Sequence, residues 1–139
     1  MNGISFFIPG RPVPQARPRV VRGGNRTYDP KRSAQAKQVA AGYALEARMK
    51  ARMELIETEA VTVTMEARFA YPKSTRKSLL VYRMPYTGTP DVENVAKMLL
   101  DACTGILWRD DSQVTTLIAS KYRVTNREEE GIHVHIRCE

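Results

Sequence analysis

Five carboxylates and one lysine gather in a short stretch of the sequence, TPDVENVAKMLLDACTGILWRDDSQV. The acids are Asp91, Glu93, Asp101, Asp110 and Asp111, and the lysine is Lys97. Carboxylates that converge repel one another and raise each other's pKa unless a cation lies among them. Such oxygen ligands suit Mg²⁺ or Mn²⁺, which hold phosphate oxygens and activate water, and a nearby lysine can stabilise developing charge. The residue types therefore indicate metal-assisted phosphodiester hydrolysis as the candidate chemistry.

One amphipathic helix is predicted to carry most of these residues. Its apolar face recurs at three- and four-residue steps, at Val92, Val95, Leu99, Ala102 and Ile106. Its polar side carries Glu93, Asn94, Lys97 and Asp101. Thr89 or Asp91 is suited to the N-cap, and Gly105 indicates where the helix ends.

Each acid also has a plain structural explanation. Asp91 can cap the helix, Glu93 and Lys97 are four apart and can form a solvated ion pair, and the two aspartates after the helix can make a turn. A helix from Asp91 to about Gly105 spans about 20 Å. Convergence of the acids therefore requires either a return of the chain or donation across a subunit boundary, and the sequence leaves both open.

The charge of the chain is distributed unevenly. The 139 residues carry a formal charge of +7, but residues 1–52 hold eleven Lys and Arg against two acids, and residues 53–139 hold eleven against thirteen. A strongly basic segment favours a polyanion partner, most commonly nucleic acid, although it can also be a solvated surface that aids solubility. The candidate phosphate contacts are Arg17, Arg19, Arg22, Arg26, Lys73, Arg76 and Lys77.

The other elements follow from periodicity and turn residues. Strands are predicted at Ile4–Ile8, Val61–Ala70, Val114–Val124 and through Ile132, Val134 and Ile136, and a hairpin tip at Gly23-Gly24-Asn25. A long helix is predicted over about Lys31 to Ile56, with an apolar stripe at Val39, Tyr43, Ala47 and Ala51. Tyr71 to Pro90 is a long irregular connection. The order predicts an α+β fold, a single domain over residues 1–139 with a mixed β-sheet and two main helices packed on it.

Composition excludes some classes of protein. The longest apolar runs are far too short to span a bilayer, and the N-terminus lacks the pattern of a signal peptide, so we expect a cytoplasmic protein with no membrane partner. The two cysteines show no zinc-site spacing, and Cys103 is expected to be a small buried hydrophobe. Trp108 is expected in the core, while Tyr82 and Tyr86 are candidates for stacking on bases. His133 and His135 share one face of the last strand, where a solvated role is commoner than a metal site.

The acidic stretch resembles the signature of RusA-type Holliday-junction resolvases. That signature has an Asp-x-Asp-Asn start, a Lys, a further Asp, a Trp or similar residue and an Asp-Asp pair before an apolar strand. PDVENVAKMLLDACTGILWRDDSQV follows it in order. IPGRPVPQARPRV is similar to the family's opening strand and Pro- and Arg-rich segment, and RTYDPK to its entry to the first helix. The resemblance thus covers most of the chain.

The resemblance implies a homodimeric, Mg²⁺-dependent endodeoxyribonuclease that cuts opposed strands of a four-way DNA junction and leaves ligatable ends, encoded by a bacterium or a phage. It implies Asp91, Glu93, Lys97 and Asp111 as catalytic residues, and Asp91, Glu93, Asp110 and Asp111 as metal ligands. Glu93 departs from the usual Asp, which implies an altered metal preference because Mg²⁺ tolerates little misplacement of its ligands. Two alternatives are a branched-DNA-binding protein that does not cut, and a nuclease of the same chemistry acting on forks or flaps.

Overall fold

A computed structural model of the protein describes residues 2–16 and 30–139. Five strands form one mixed sheet in the spatial order β1-β5-β2-β4-β3, and two helices contribute to its buried face. The strands are β1 (Asn2–Pro9), β2 (Val61–Ala70), β3 (Met84–Pro85), β4 (Val114–Val124) and β5 (Gly131–Cys138). The helices are α1 (Pro30–Lys50) and α2 (Val92–Cys103). The predicted α+β class and mixed sheet are confirmed, and no helix within residues 2–16 and 30–139 is long and apolar enough to cross a bilayer.

The central strand β2 sets the register of the sheet. Val63 lies opposite Ile136 of the antiparallel strand β5 and opposite Leu117 of the parallel strand β4. Alternate residues of β2 are buried on the helix side, and Ile132, Val134 and Ile136 of β5 are buried beside them, as their alternation predicts. Burying this face against two helices supplies the main apolar core.

Helix α1 is shorter than predicted, and its apolar face is placed differently. It ends at Lys50 rather than near Ile56, because Arg52 adopts a positive φ of 54° and the chain turns. Ile56 instead bridges to Trp108. Val39 is 50% exposed, whereas Ala40 and Ala44 are fully buried. Tyr43 and Ala47 of the predicted stripe are partly buried against the core, and the small alanines beside them allow α1 to approach its neighbours closely.

Helix α2 follows the prediction more closely. Val95, Leu99 and Ala102 are buried, and α2 ends at Cys103, two residues before Gly105. Trp108 is fully buried, and its indole N–H donates to the Thr104 hydroxyl at 3.1 Å, so its predicted core position is confirmed. Cys103 is buried and free, as expected. The predicted hairpin at residues 23–25 lies outside the described residues.

Candidate active site

The start of α2 is attached to the end of β4. The Lys121 ammonium donates to the carbonyl oxygens of Gly88, at 2.5 Å, and Pro90, at 2.7 Å. Asp91 follows Pro90 directly and is exposed. The chain therefore runs along α2 in one direction and returns along β4 in the other, so that Asp91 lies beside the carboxyl end of β4.

The second acid pair lies at the opposite end of the sheet. Asp110 and Asp111 lie in the turn before β4. Gln113, the last residue of that turn, donates to the carbonyl oxygens of Ile56 and Glu59 ahead of β2. The twelve residues of α2 span about 18 Å at 1.5 Å per residue. Within residues 2–16 and 30–139 no three His, Cys, Asp or Glu side chains are placed to hold a metal ion. Within one chain, the predicted metal ligands therefore form two separate groups, one at each end of the sheet.

The Asp110–Asp111 pair is electrostatically strained. Asp110 accepts a hydrogen bond from the Ser112 N–H at 3.1 Å, and this bond, followed by one from Asp111, lowers the pKa of Asp110. Its own N–H donates to the Gln113 side chain at 2.8 Å, which completes a capping box. The hydrogen bond with Asp110 and the negative charge of Asp110 raise the pKa of Asp111, and Asp101 adds to the effect. A cation beside Asp111 would relieve this repulsion.

Two buried oxygens without donors lie at the start of α2. The Gln15 N–H donates to the Asn94 carbonyl at 2.9 Å, which holds the segment before residue 17 against the helix. The side-chain oxygens of Gln15 and Asn94 are both buried and accept no hydrogen bond from the residues that the structure describes. Asp91 does not use its carboxylate to cap α2. Carboxylate and amide oxygens are the ligands that hard divalent cations prefer, so the local chemistry fits a metal ion. Gln15 was not among the predicted site residues. The one sequence signal that could have found it is its position in the Pro- and Arg-rich segment.

Lys97 lies one turn after Glu93 on the exposed side of α2. Glu93 and Lys97 are both exposed. Asp101, one turn further, pairs with Lys37 of α1 at 3.4 Å. Asp101 thus joins the two helices, whereas the Lys97 amine faces solvent near the start of α2.

Basic residues share the end of the sheet where Asp91 lies. The connection after β2 begins beside the end of β4, since Ala70 lies opposite Val124. Its cations Lys73, Arg76 and Lys77 are exposed. The connection that carries these cations therefore starts at the end of the sheet where the first acid pair, Asp91 and Glu93, lies. The other predicted DNA contacts, Arg17, Arg19, Arg22 and Arg26, lie outside the described residues.

The aromatic and histidine candidates have different surroundings. Tyr82 is 56% exposed and keeps its predicted availability for stacking. The Tyr86 ring instead packs on Phe69 at 4.8 Å, and its hydroxyl donates to the Thr89 carbonyl at 2.9 Å. Tyr86 therefore supports the turn that leads into α2. His135 and its neighbour on the same strand face are exposed, and the His135 ring bonds the Ser5 hydroxyl at 2.7 Å.

Comparisons with known proteins identify the class. The family model described as endodeoxyribonuclease RusA matches residues 9–137, which include both acid pairs and the lysine. The chain belongs to the RusA endodeoxyribonuclease family, as its resemblance in sequence implied. It is also 34% identical over 145 residues to YqaN of Bacillus subtilis (strain 168), described as an uncharacterized protein, across 99% of this chain and 97% of YqaN.

Proposed function

We propose that this chain is a divalent-metal-dependent, structure-selective endodeoxyribonuclease that resolves four-way (Holliday) DNA junctions in recombination and repair. Residues 1–139 act as one nuclease domain in the cytoplasm. The observation that carries the proposal is the arrangement at the start of α2 in a RusA-family chain. Two exposed carboxylates, two buried oxygens that accept from none of the described residues, and an exposed lysine lie at the same end of the molecule as exposed cations.

The residues present fit Mg²⁺ or Mn²⁺. Asp91, Glu93 and Asp111 are the proposed ligands, and Asp110 contributes less because its carboxylate already accepts from the following turn. When bound, the ion stabilises charge on the phosphate oxygens and makes its water more acidic. Glu93 reaches one methylene further than Asp, and Mn²⁺, whose coordination is less demanding, suits this set as well as Mg²⁺.

Lys97 acts on the same phosphate from the exposed side of α2. Its ammonium stabilises the negative charge that develops as water attacks phosphorus and the bond to the leaving oxygen breaks. Lys73, Arg76 and Lys77 bind neighbouring phosphates of the junction arms, together with the arginines of the segment that follows residue 16. Because phosphate contacts carry no sequence information, selectivity for branched DNA rests on shape.

The test is cleavage of a labelled four-way junction with and without Mg²⁺. We expect Asp91→Asn and Asp111→Asn to lower the cleavage rate on the order of 100-fold or more, by analogy with other lost transition-state contacts. Junction binding should remain or tighten, because each change removes negative charge near phosphate. Glu46→Gln, on α1, is the control and keeps wild-type activity. Cleavage by the Asn variants at the wild-type rate would overturn the assignment.

The glutamate at position 93, where the family usually has aspartate, supports one alternative function. If the active site with Glu93 has lost its catalytic activity, the protein binds branched DNA without cutting it. The same gel then shows a shifted junction and no product at any Mg²⁺ or Mn²⁺ concentration. Parallel reactions with a fork, a flap and a linear duplex measure which structure is cut fastest, and a preference for forks or flaps would replace the junction as the substrate.

A further inference from the structure

The loop of residues 72–83, between β2 and β3, places large apolar side chains in solvent. Leu79, Val81 and Tyr82 are 62%, 51% and 56% exposed. Residues 71–90 contain no acid, and the loop itself carries four cations, Lys73, Arg76, Lys77 and Arg83. Apolar side chains left in water contribute nothing to the stability of the fold, and a patch of them rimmed by polar residues typically marks a binding surface.

Both ends of this loop are held to the end of β4. Before the loop, Arg123 of β4 donates to the Ala70 carbonyl at 2.8 Å and lies 5.3 Å from the centre of the Tyr71 ring. After the loop, Met84 pairs with Arg123 across the β3–β4 ladder. The Tyr71 hydroxyl also joins the two sides of the loop, because it donates to the Val81 carbonyl at 2.8 Å and accepts from the Val81 N–H at 3.2 Å. The backbone that presents the apolar side chains is therefore fixed before any ligand binds, which lowers the entropic cost of binding.

The loop returns to the sheet beside the candidate active site. Shortly after it, the Tyr86 N–H donates to the Lys121 carbonyl at 3.1 Å. The Lys121 ammonium in turn holds the carbonyl of Pro90, the residue before Asp91. The loop and the first acid pair therefore project from the same end of the sheet, and DNA bound at Asp91 lies at that end.

The chemistry of the loop selects one kind of partner. Bases have flat apolar faces and phosphates carry negative charge, so unstacked bases on a DNA backbone match both the apolar and the cationic groups. In a continuous duplex each base face is covered by its neighbour, whereas base pairs where the arms of branched DNA meet can lose a stacking neighbour. A second copy of the loop is a poor partner, because its four cations would face four like charges.

We propose that the 72–83 loop detects the branch point of DNA: Tyr82 stacks on a base face exposed there, Leu79 and Val81 extend the apolar contact, and the loop cations bind the flanking phosphates. This contact adds to the recognition of shape and gives the chain a means to distinguish a branch from continuous duplex. The choice of branched DNA as the partner rests on the proposed function, but the contact itself requires no cleavage.

Binding without divalent metal tests the loop, since no strand is then cut. The affinity of the protein for a four-way junction is compared with that for the two linear duplexes that have the same arms and the same ends. We expect Tyr82→Ser to lower the affinity for the junction about tenfold, because stacking on a base is lost, and to leave the affinity for the duplexes unchanged. Met49→Ser, at a side chain of α1 that is 68% exposed, is the control and should change neither affinity. Circular dichroism checks that both variants fold. An unchanged affinity of Tyr82→Ser for the junction, or an equal loss for both DNAs, would overturn the proposal.

Photo-crosslinking locates the stacked base. The junction carries 5-iodouracil, which crosslinks to an aromatic side chain stacked on it, either at the branch point or in the middle of an arm. We expect a crosslink to Tyr82 from the branch point, identified by mass spectrometry, and none from the middle of the arm. Crosslinks of equal yield from both positions would refute the recognition of the branch point.

Two further results separate this proposal from its rivals. An anionic bilayer also attracts a loop with apolar and cationic side chains, so sedimentation with phosphatidylglycerol vesicles is measured for wild type and Tyr82→Ser. Vesicle binding that depends on Tyr82, with junction binding that does not, would replace DNA by a membrane surface as the partner. A wild-type protein that crosslinks through Tyr82 and yet cuts no junction with Mg²⁺ or Mn²⁺ would refute the nuclease function and support the loop contact.

Discussion

The Lys121 ammonium lies 2.7 Å from the Pro90 carbonyl oxygen, and this contact fixes the start of the candidate catalytic helix to the end of β4. Lys121 also lies 5.2 Å from the centre of the Tyr86 ring. One partly buried cation thus orders the turn that presents Asp91. Its removal should disturb the site more than the fold.

We expect Lys121→Met to lower the free energy of unfolding by about 1–3 kcal/mol, since two carbonyl oxygens lose a charged donor. Cleavage should fall further than this loss of folded protein explains, because the Asp91 carboxylate is no longer positioned. Urea denaturation and single-turnover cleavage measure the two effects. Lys50→Met, at an exposed lysine of α1, is the control. Equal cleavage by the two variants would show that the contact does not position the site.

The side-chain oxygen of Asn94 is buried and accepts no hydrogen bond within residues 2–16 and 30–139. Replacing it by an apolar side chain of similar size, Asn94→Leu, should stabilise the metal-free protein or leave it unchanged, because a buried acceptor without a donor costs about 1–3 kcal/mol. The increase in Tm caused by Mg²⁺ should become smaller, because the proposed metal site loses a neighbouring oxygen. Thermal unfolding with and without Mg²⁺ measures both. A large loss of stability without metal would mean that Asn94 has a structural role.

Glu93 is where the metal preference should be set. We expect Glu93→Asp to lower the Mg²⁺ concentration that gives half-maximal cleavage, because the shorter carboxylate restores the ligand geometry that octahedral Mg²⁺ requires. Dependence on Mn²⁺ should change less. Titrating each metal against cleavage of the same junction provides the comparison. An unchanged Mg²⁺ dependence would place Glu93 outside the metal site.

Phosphate binding by the connection after β2 is tested by salt. Each lysine that neutralises one phosphate adds about 1 to the slope of log affinity against log salt concentration. We expect Lys77→Ala to weaken junction binding and to reduce this slope by about 1. Lys50→Ala removes the same charge from the exposed end of α1 and should leave the slope unchanged. If the two variants have the same salt dependence, Lys77 contributes only to a general attraction between protein and DNA and does not contact a phosphate.

Stability at acidic pH should depend on Glu66. Burial by itself raises the pKa of Glu66, but hydrogen bonds from Arg68 and Arg83 outweigh it and hold the pKa below the usual 4.5. A lowered pKa in the folded state means that Glu66 stabilises the fold above pH 4.5 and that this contribution is lost as pH falls through the folded value. We expect Glu66→Gln to be less stable than wild type at pH 7 and to lose less stability on acidification. Urea denaturation from pH 7 to 3 measures the difference.

Local patterns predicted much of the fold and failed where packing decides. The alternation of β2 and the apolar face around Val95 and Leu99 are confirmed, because a period of two or 3.6 residues directly sets which side chains share a face. The stripe on α1 was right at Tyr43 and Ala47, which pack against the core, and wrong at Val39, which is exposed, because the way α1 packs depends on its neighbours as well as on its own hydrophobicity. Tyr82 and Tyr86 were both predicted as candidates for stacking on bases. The ring of Tyr86 instead packs against Phe69, which is distant in sequence.

The sequence by itself determined the chemistry of the candidate site. Carboxylates, an asparagine and a lysine at fixed spacings on one helix predict the metal ligands and the residue that stabilises charge, since helical geometry alone places Glu93 and Lys97 on one side. Only the tertiary structure decided where the two acid groups lie relative to each other. The chain returns from α2 along β4, and a rigid helix and strand hold Asp91 and Asp111 at opposite ends of the sheet. No short-range pattern encodes this separation, because it depends on how the strands pair.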